Sequence, residues 1–221
     1  MPIRRFLDIV FPPKCVFCRR LLQDGEAELC TFCQETAPVF GKAKTSIPCV
    51  AGWYAVWYYI DKVKRSIRSF KFYGRRENAA AYAKRMADLL SEDGMPDFDF
   101  LTWVPVSRRR ILSRGYDQSA LLARALAGQL HCACVPVLKK KVHTPPQSGL
   151  RGAAFRRGNV IGAYSVSDRE FVAGKRILLV DDVVTTGATC SECAKELTFA
   201  GADTVICITV AAAPNNKKVC R

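Results

Sequence analysis

The stretch Arg176–Thr189, RILLVDDVVTTGAT, decides the fold. Its aliphatic residues Ile177–Val180 predict a strand that is buried on both faces of a sheet. Two carboxylates, Asp181 and Asp182, follow at once, and the chain then turns through a loop into a helix that begins near Thr189. This order is typical of a parallel α/β sheet, in which ligands bind at the carboxyl ends of the strands.

The loop after this strand has the features of a phosphate site. Backbone N–H groups converge in such a turn, and the positive end of the following helix also attracts an anion. Gly187 permits a tight turn and a close approach of a phosphate. Three threonines add hydroxyl donors: Thr185, Thr186 and Thr189. An ordinary turn with Asp and Thr as helix caps would need fewer of these groups.

The two carboxylates, Asp181 and Asp182, are unsuited to binding the same phosphate as the loop. They suit sugar hydroxyls, or a Mg²⁺ ion that is held mostly through water. A sugar phosphate with neighbouring hydroxyl groups therefore meets the requirements of both the carboxylates and the loop.

The rest of residues 50–213 alternates strand and helix patterns, which predicts an α/β fold with a mainly parallel sheet. Residues 39–49 are expected to be a linker, 139–159 a long polar stretch, and 214–221 a basic tail. Strands are predicted at 51–59, 98–106, 132–138, 160–166, 176–182 and 203–213, and helices at 61–72, 77–90, 119–130 and 188–200.

A second group of site residues is expected after the strand that ends at Val104–Val106. The segment that follows is strongly basic and lies at the same edge of the predicted sheet as the carboxylates. Guanidinium groups bind phosphate in a bidentate manner, so this loop suits a pyrophosphate or a nucleic-acid backbone. A solvated loop with scattered charge is the alternative. The candidates are Ser107, Arg108, Arg109, Arg110 and Arg114.

The cysteines near the N-terminus predict a metal site. The pairs have the form C-x₂-C, and eleven residues separate them; the four ligands are Cys15, Cys18, Cys30 and Cys33. Four thiolates complete a tetrahedral Zn²⁺ site that has no open position, so this zinc is expected to be structural within a zinc ribbon over residues 1–45. Iron is a weaker alternative. The other seven of the 11 cysteines are expected to be structural.

The composition favours an anionic ligand. Lys and Arg number 34 against 20 Asp and Glu, which gives a net charge of +14. Nucleic acid and a phosphorylated metabolite both fit this charge, and a generally basic surface is the alternative. No apolar run is long enough to span a membrane. The N-terminal residues make a poor signal peptide, so a cytoplasmic location is expected.

LLVDDVVTTGAT resembles the phosphoribosyl pyrophosphate (PRPP) motif of type I phosphoribosyltransferases. The resemblance implies that Asp181 and Asp182 are the catalytic carboxylates and bind the ribose hydroxyls of PRPP, which is bound together with Mg²⁺. It also implies that six loop residues surround the 5′-phosphate: Val184, Thr185, Thr186, Gly187, Ala188 and Thr189.

Three further segments are similar to the competence protein F (ComF) family, in which a zinc ribbon precedes a phosphoribosyltransferase domain. They are R-x-x-x-R-G-Y-D-Q-S, TPPQSGLRGAAFRRGNVIGAY and SFKFYGRRENAAAYA. Asp117 stands where this family usually has Asn, and Phe155-Arg156 replaces an acidic-basic pair. The resemblance implies displacement of pyrophosphate from PRPP and a role in DNA uptake with its protein machinery. The similarity to phosphoribosyltransferases also implies that 144–159 is a mobile loop that closes over the site; a disordered connection is the alternative.

Two other functions stay open. The chain could be a single-stranded DNA-binding accessory protein, with bases stacked on aromatic residues near position 55, although core packing is the more usual role of such residues. It could also be a PRPP-responsive regulator that has no catalytic activity. The aromatic residues concerned are Trp53, Tyr54, Trp57 and Tyr58.

Overall fold

The structure is a computed structural model that describes residues 12–43, 46–141 and 160–214. The strands are β1 (Val39–Lys42), β2 (Gly52–Tyr58), β3 (Phe100–Trp103), β4 (Leu138–Lys140), β5 (Tyr164–Val166), β6 (Arg176–Val184) and β7 (Thr204–Ala212). The helices are α1 (Thr31–Glu35), α2 (Asp61–Phe72), α3 (Asn78–Glu92), α4 (Arg108–Arg114), α5 (Gln118–Leu130), α6 (Arg169–Val172) and α7 (Ala188–Phe199).

Five strands form the main sheet in the order β1-β2-β7-β6-β3. β2, β7, β6 and β3 are parallel to one another, and only the edge strand β1 runs antiparallel to its neighbour. The predicted α/β class with a mainly parallel sheet is therefore confirmed. Because β3 and β6 are parallel neighbours, with Trp103 opposite Val180, their carboxyl ends open onto the same place.

The predicted central strand is buried on both faces, as its continuous aliphatic run requires. Leu178 and Val180 pack on the face that α3 and α5 cover, and Ile177 and Leu179 pack on the face that α7 covers. All four side chains are at most 1% exposed. This two-sided packing fixes the end of β6, and with it the position of the carboxylates.

The predicted linker over 39–49 is wrong in part, because Val39–Lys42 is a strand of the main sheet. It pairs with β2, and Gly41 lies opposite Ala55. The domain bounds 1–45, 50–213 and 214–221 stay a prediction, with the qualification that this strand belongs to the sheet.

Two other local predictions need correction. The basic segment after β3 is a helix, α4, whereas a loop was expected. The strand expected at 132–138 is reduced to a single bridge between Cys134 and Leu101, since Pro136 has no N–H to continue a ladder. A short strand, β4, begins only at Leu138 and pairs antiparallel with β5.

The aromatic residues of β2 belong mainly to the core, the role that the sequence favours for them over base stacking. Trp53, Tyr54 and Trp57 are between 3% and 7% exposed. Trp57 packs edge-on against Phe17 of the cysteine-rich segment, with 4.9 Å between ring centroids. Only Tyr58, at 36%, reaches solvent.

The long polar stretch that is predicted to close over the site lies mostly outside the described residues, which resume at Val160. Just after this stretch, Gly162 is held to α7, because the buried carboxylate of Glu192 accepts a hydrogen bond from Gly162 N at 2.6 Å. Within the part of the chain that the structure describes, no helix has the length and apolar character needed to cross a membrane.

Candidate functional site

The two adjacent carboxylates lie where the sequence predicts, at the carboxyl end of β6 in the wall of a cavity of about 200 Å³. Both are buried, Asp181 at 9% and Asp182 at 4% exposure. Asp181 Oδ1 accepts hydrogen bonds from Ser119 Oγ at 3.1 Å and from Asp182 N at 2.8 Å. Burial and the neighbouring charge of Asp182 raise the pKa of Asp181 to about 7, against the opposing effect of Lys71.

Lys71, at the end of α2, is a site residue that the sequence reasoning did not assign. Its Nζ lies 2.7 Å from Asp182 Oδ1, and the two side chains are 18% and 5% exposed. A positive charge at this position offsets the repulsion between two neighbouring buried acids. The signal in the sequence was the Lys-Phe-x-Gly junction after an amphipathic helix, which carried a family resemblance but no role.

Two buried acceptor atoms in the cavity wall have no hydrogen-bond partner among the described residues. They are Asp182 Oδ2 and Gln118 Oε1. Buried polar atoms are nearly always hydrogen-bonded, so these two are available to donors of a ligand. Hydroxyl groups of a sugar, or water molecules around a Mg²⁺ ion, would supply such donors.

The predicted phosphate loop lies on the same cavity. Thr185 and Thr186 are exposed to it, and the lining also includes Ala188 and Thr189. Thr186 Oγ1 accepts from Ala188 N at 3.4 Å. Val184 is the last residue of β6, where it is buried and its carbonyl accepts from Ala213 N at 2.7 Å. Residues of the loop and both carboxylates thus line the same cavity.

Gly187 shapes this loop through its backbone. Its φ is +75°, a left-handed conformation that favours glycine, and it directly precedes α7. A Cβ atom here would come within 2.9 Å of Ile47 Cγ1, which packs against the loop from the segment before β2. Both the turn and the packing therefore require a residue that has no side chain.

The arginine candidates divide between two depressions. Arg110 and Arg114 are four residues apart on α4, lie on one face of the helix, and line the cavity with the carboxylates. Ser107, Arg108 and Arg109 instead line a neighbouring groove. All five stay candidates for anion binding, and the geometry brings two of them to the carboxylates.

Lys140 and Tyr164 form another part of the cavity that the sequence reasoning missed. They lie on the antiparallel pair β4 and β5, and Lys140 Nζ donates to Tyr164 OH at 2.9 Å. Burial lowers the pKa of Lys140 and raises that of Tyr164. The pair β4 and β5 therefore contributes a further cation to the lining of this cavity.

Asp117, which departs from the usual Asn, caps α5. Its Oδ1 accepts from Ala120 N at 3.0 Å and its Oδ2 accepts from Val106 N at 3.3 Å. Burial raises the pKa of this carboxyl group, and the hydrogen bonds oppose the shift. The side chain thus fixes the start of α5 to the end of the strand segment before α4.

The four predicted zinc ligands converge. The Sγ atoms of Cys15, Cys18, Cys30 and Cys33 all lie within 4.8 Å of one another. Cys18 Sγ and Cys30 Sγ are 3.7 Å apart, which fits the edge of about 3.8 Å that bonds of about 2.3 Å give a tetrahedral Zn–S₄ site. Burial opposes ionisation of Cys15, but backbone N–H donors prevail and lower its pKa to about 7, whereas burial raises the pKa of Cys18 and of Cys33. The fit to zinc rests on the distances between the four sulfur atoms.

The cysteine cluster is part of the main core. Val16 O accepts a hydrogen bond from Ser66 Oγ of α2 at 2.7 Å, and Ser66 Oγ also lies 2.6 Å from Tyr82 OH of α3. A metal held by the four cysteines would therefore order a segment that packs directly on α2, the helix that ends in Lys71.

Of the cysteines expected to be structural, Cys190, Cys193 and Cys207 are buried around α7. Cys49 is exposed, and Cys132 and Cys134 are half-buried. Cys220 lies outside the described residues.

Comparisons with known proteins agree with this geometry. The family model described as "Phosphoribosyl transferase domain" matches residues 117–220, and that described as "Double zinc ribbon domain" matches residues 6–44. The fold and the site thus define a protein with a type I phosphoribosyltransferase-like domain and an N-terminal zinc ribbon.

Relatives match this chain in sequence over half or more of their length. The chain is 29% identical over 219 residues to "DNA utilization protein YhgH" of Escherichia coli O157:H7, a match that covers 89% of this chain and 96% of that protein. It is 29% identical over 216 residues to "Competence protein F" of Haemophilus influenzae, with 87% and 93% covered. "Competence protein ComFC" of Bacillus subtilis is 30% identical over 136 residues, with 61% and 53% covered. The chain is thus similar to competence protein F and to YhgH over most of its length.

Solved structures with a similar arrangement include a glutamine phosphoribosylpyrophosphate amidotransferase from B. subtilis. That match has a TM-score of 0.41 and 22% identity, and covers 63% of this chain and 30% of the other. A hypoxanthine-guanine-xanthine phosphoribosyltransferase matches with a TM-score of 0.37 and 13% identity, and covers 66% of this chain and 69% of the other.

Proposed function

We propose that this chain binds PRPP together with Mg²⁺ in the cavity at the ends of β3 and β6. One observation carries the proposal: a buried pair of carboxylates and a loop of hydroxyl groups line a single cavity of about 200 Å³. Carboxylates accept hydrogen bonds from sugar hydroxyls, and the loop donates to a phosphate. PRPP carries both groups on one ribose ring.

Each part of the cavity has a role in this proposal. Asp181 and Asp182 accept hydrogen bonds from the ribose hydroxyls, and Gln118 Oε1 is a further acceptor. The 5′-phosphate lies in the loop around Gly187, and the pyrophosphate lies toward the arginines. The cations near it are Arg110, Arg114 and Lys140. Mg²⁺ would be held by pyrophosphate, water and the free oxygen of Asp182, and would neutralise charge on the leaving group.

Catalysis, where it occurs, is displacement at C1 of the ribose. The bond between C1 and the pyrophosphate oxygen breaks, pyrophosphate leaves with the electron pair, and a nucleophile forms the new bond to C1. Positive charge develops on the ring, as in glycoside cleavage. The buried carboxylates lie close to the ribose and stabilise that charge, and the arginines stabilise the leaving group. The protein therefore acts mainly through positioning and electrostatics.

The biological role that we propose is DNA uptake or use. The names of two relatives, "DNA utilization protein YhgH" and "Competence protein F", support this role. The net charge of +14 is consistent with work on a polyanion.

Thermal unfolding of the zinc-loaded protein with a panel of ligands tests the proposal. With Mg²⁺ present, PRPP is expected to raise the midpoint of thermal unfolding more than ribose 5-phosphate does, because only PRPP occupies the whole cavity. Pyrophosphate alone is expected to raise it least. Thr186→Val removes one hydroxyl group from the loop and is expected to reduce the response to PRPP and to ribose 5-phosphate together. An equal response to all three ligands would contradict the proposed arrangement.

Release of pyrophosphate separates an enzyme from a regulator. A transferase releases pyrophosphate from PRPP when an acceptor is supplied, whereas a PRPP-responsive regulator binds PRPP and releases none. Asp181→Asn is the control, since it is expected to abolish both the binding and the release.

A further inference from the structure

Helix α2 contacts the cysteine-rich segment near its start and the PRPP cavity near its end. In the first turn, Lys62 Nζ donates to Thr36 Oγ1 and lies 5.3 Å from the centroid of the Phe32 ring. In the last turn, Lys71 lines the cavity and is paired with Asp182. One helix therefore contacts both the segment that carries the zinc ligands and the carboxylates of the cavity.

Ser66 is the buried link between this helix and the first pair of zinc ligands. The residue is 3% exposed, and its Oγ donates to Val16 O at 2.7 Å. Because a hydroxyl group has a single proton to donate, Ser66 Oγ accepts from Tyr82 OH, which lies 2.6 Å away. Val16 directly follows the ligand Cys15. A metal on the four thiolates would therefore fix the carbonyl group that receives the bond from α2.

Removal of the metal would free this carbonyl group. Small segments that are held by four cysteines fold with their metal and unfold without it. The Ser66 hydroxyl then loses its acceptor, and a buried hydroxyl group without an acceptor is unfavourable. Lys71 lies five residues further along α2, about 7.5 Å along the helix axis. A helix is stiff over this distance, so a displacement of α2 at Ser66 also moves Lys71 relative to Asp182.

We infer that Ser66 is a positioning residue that couples the zinc site to the PRPP cavity through α2. The inference rests on the proposed binding of PRPP in that cavity. With the metal in place, the bond from Ser66 to Val16 holds α2 where Lys71 reaches Asp182. Without the metal, α2 loses this anchor, the ion pair lengthens, and the carboxylates bind PRPP and Mg²⁺ less tightly. Because coupling between two binding equilibria is reciprocal, PRPP in turn strengthens the binding of zinc.

Competition for zinc between the full zinc-loaded chain and a chromophoric chelator measures this coupling. The zinc affinity is determined in excess Mg²⁺, with and without saturating PRPP. We expect PRPP to raise the zinc affinity of the wild type at least fivefold, which is the lower end of the usual range for coupled sites. Asp181→Asn/Asp182→Asn, which is expected not to bind PRPP, controls for zinc that PRPP itself binds.

Ser66→Ala removes the link, and Ser69→Ala is its matched control. Ser69 lies on the same helix, but its hydroxyl donates within the helix, to Ser66 O at 2.7 Å. In Ser66→Ala we expect both ligands to bind and the effect of PRPP on zinc affinity to fall below twofold. Ser69→Ala should keep the wild-type factor. Lys71→Met, which removes the other end of the path, should lose the coupling as Ser66→Ala does.

The reciprocal measurement is the calorimetric titration of PRPP into zinc-loaded and zinc-depleted protein. It should give the same factor where circular dichroism shows that the zinc-depleted main domain is folded, and otherwise the two serine variants decide. Equal coupling in Ser66→Ala and Ser69→Ala would overturn the role of Ser66. A zinc affinity that PRPP binding leaves unchanged would overturn the coupling and leave the PRPP site in place. Absence of PRPP binding to the zinc-loaded wild type would contradict the proposed function, and the coupling with it.

Discussion

Lys71 Nζ and Asp182 Oδ1 lie 2.7 Å apart, and this ion pair joins the end of α2 to the end of β6. Two adjacent buried acids repel each other, and the largely buried lysine reduces this repulsion. The pair also connects the two carboxylates to the helix on which the cysteine-rich segment packs. Lys71 is thus a positioning residue in our account.

Replacement of this lysine tests its role. Lys71→Met leaves the two carboxylates without their cation, which raises the pKa of Asp181 further. Removal of one partner from a fully buried pair costs about 3–5 kcal/mol, and for this partly exposed lysine we expect about 2 kcal/mol of stability. We also expect PRPP affinity at pH 7 to fall at least tenfold and to recover in part at higher pH.

Lys64→Met is the matched control, since Lys64 is exposed on the same helix. It is expected to change neither property by more than about 0.5 kcal/mol. Urea denaturation and calorimetry measure the two effects. Equal behaviour of the two variants would show that the ion pair has no part in ligand binding.

The raised pKa of Asp181 predicts how stability depends on pH. The folded value is about 7, against about 3.9 in an unfolded chain. The stability that the protonated carboxyl group contributes is therefore fully present below about pH 4, and it is lost as the pH rises through about 7. Ionisation above pH 7 costs up to a few kcal/mol.

Asp181→Asn should therefore be more stable than the wild type at pH 8, by an amount that shrinks toward pH 5. The same variant is expected to lose PRPP binding, because an ionised acceptor for the ribose hydroxyl is gone. Denaturation at several values between pH 5 and pH 8 measures the difference. A stability difference that is constant over this range would rule out the raised pKa.

Backbone strain and steric contact at Gly187 can be distinguished by comparison with Gly174, a glycine outside the loop that also has a positive φ. Gly187 and Gly174 have φ values of +75° and +70°, but only Gly187 has Ile47 in the path of a Cβ atom. Gly174→Ala is expected to cost about 1–2 kcal/mol for the left-handed conformation. Gly187→Ala is expected to cost more and to abolish PRPP binding.

The double variant Gly187→Ala/Ile47→Ala tests the steric part. The double variant should relieve the contact between the Cβ atom and Ile47 but keep the strain of the left-handed backbone. Its loss of stability should therefore be smaller than the sum of the losses of the two single variants. Thermal unfolding measures the stabilities. Strict additivity of the two changes would contradict the contact.

Removal of the metal is expected to affect the main domain as well as the ribbon. The four thiolates predict one zinc per chain, and Cys33→Ser should lose it together with the packing of Phe17 on Trp57. We expect a lower unfolding midpoint and higher solvent exposure of Trp57. Cys49→Ser, which alters an exposed cysteine away from the cluster, should retain one zinc and the wild-type midpoint.

Local patterns predicted much of the fold because the responsible interactions are local. The aliphatic run Ile177–Val180, the glycine of the loop and the C-x₂-C pairs each specify their own conformation or chemistry. The strand β1 was missed because it has only four residues and its second half, Gly41 and Lys42, has weak strand character; pairing with β2 orders it. Val39–Lys42, which the local pattern predicted to be part of a linker, thus forms a strand because of its tertiary contacts.

The site was predicted less completely for a similar reason. The ion pair between Lys71 and Asp182 joins positions far apart in the chain, and no local pattern reports it. The arginines are divided between the cavity and the neighbouring groove because α4 is a helix. Arg110 and Arg114 share the helix face that lines the cavity, whereas Arg108 and Arg109 line the groove. A segment read as a loop gave no such assignment.

Calorimetric titration of PRPP with Mg²⁺ into the zinc-loaded protein tests the central claim most directly. The wild type is expected to bind one PRPP per chain, and Asp181→Asn/Asp182→Asn, with its fold verified by circular dichroism, is expected to give no heat of binding. Binding of equal affinity in both proteins, or none in a folded wild type, would contradict the assignment of this cavity to PRPP.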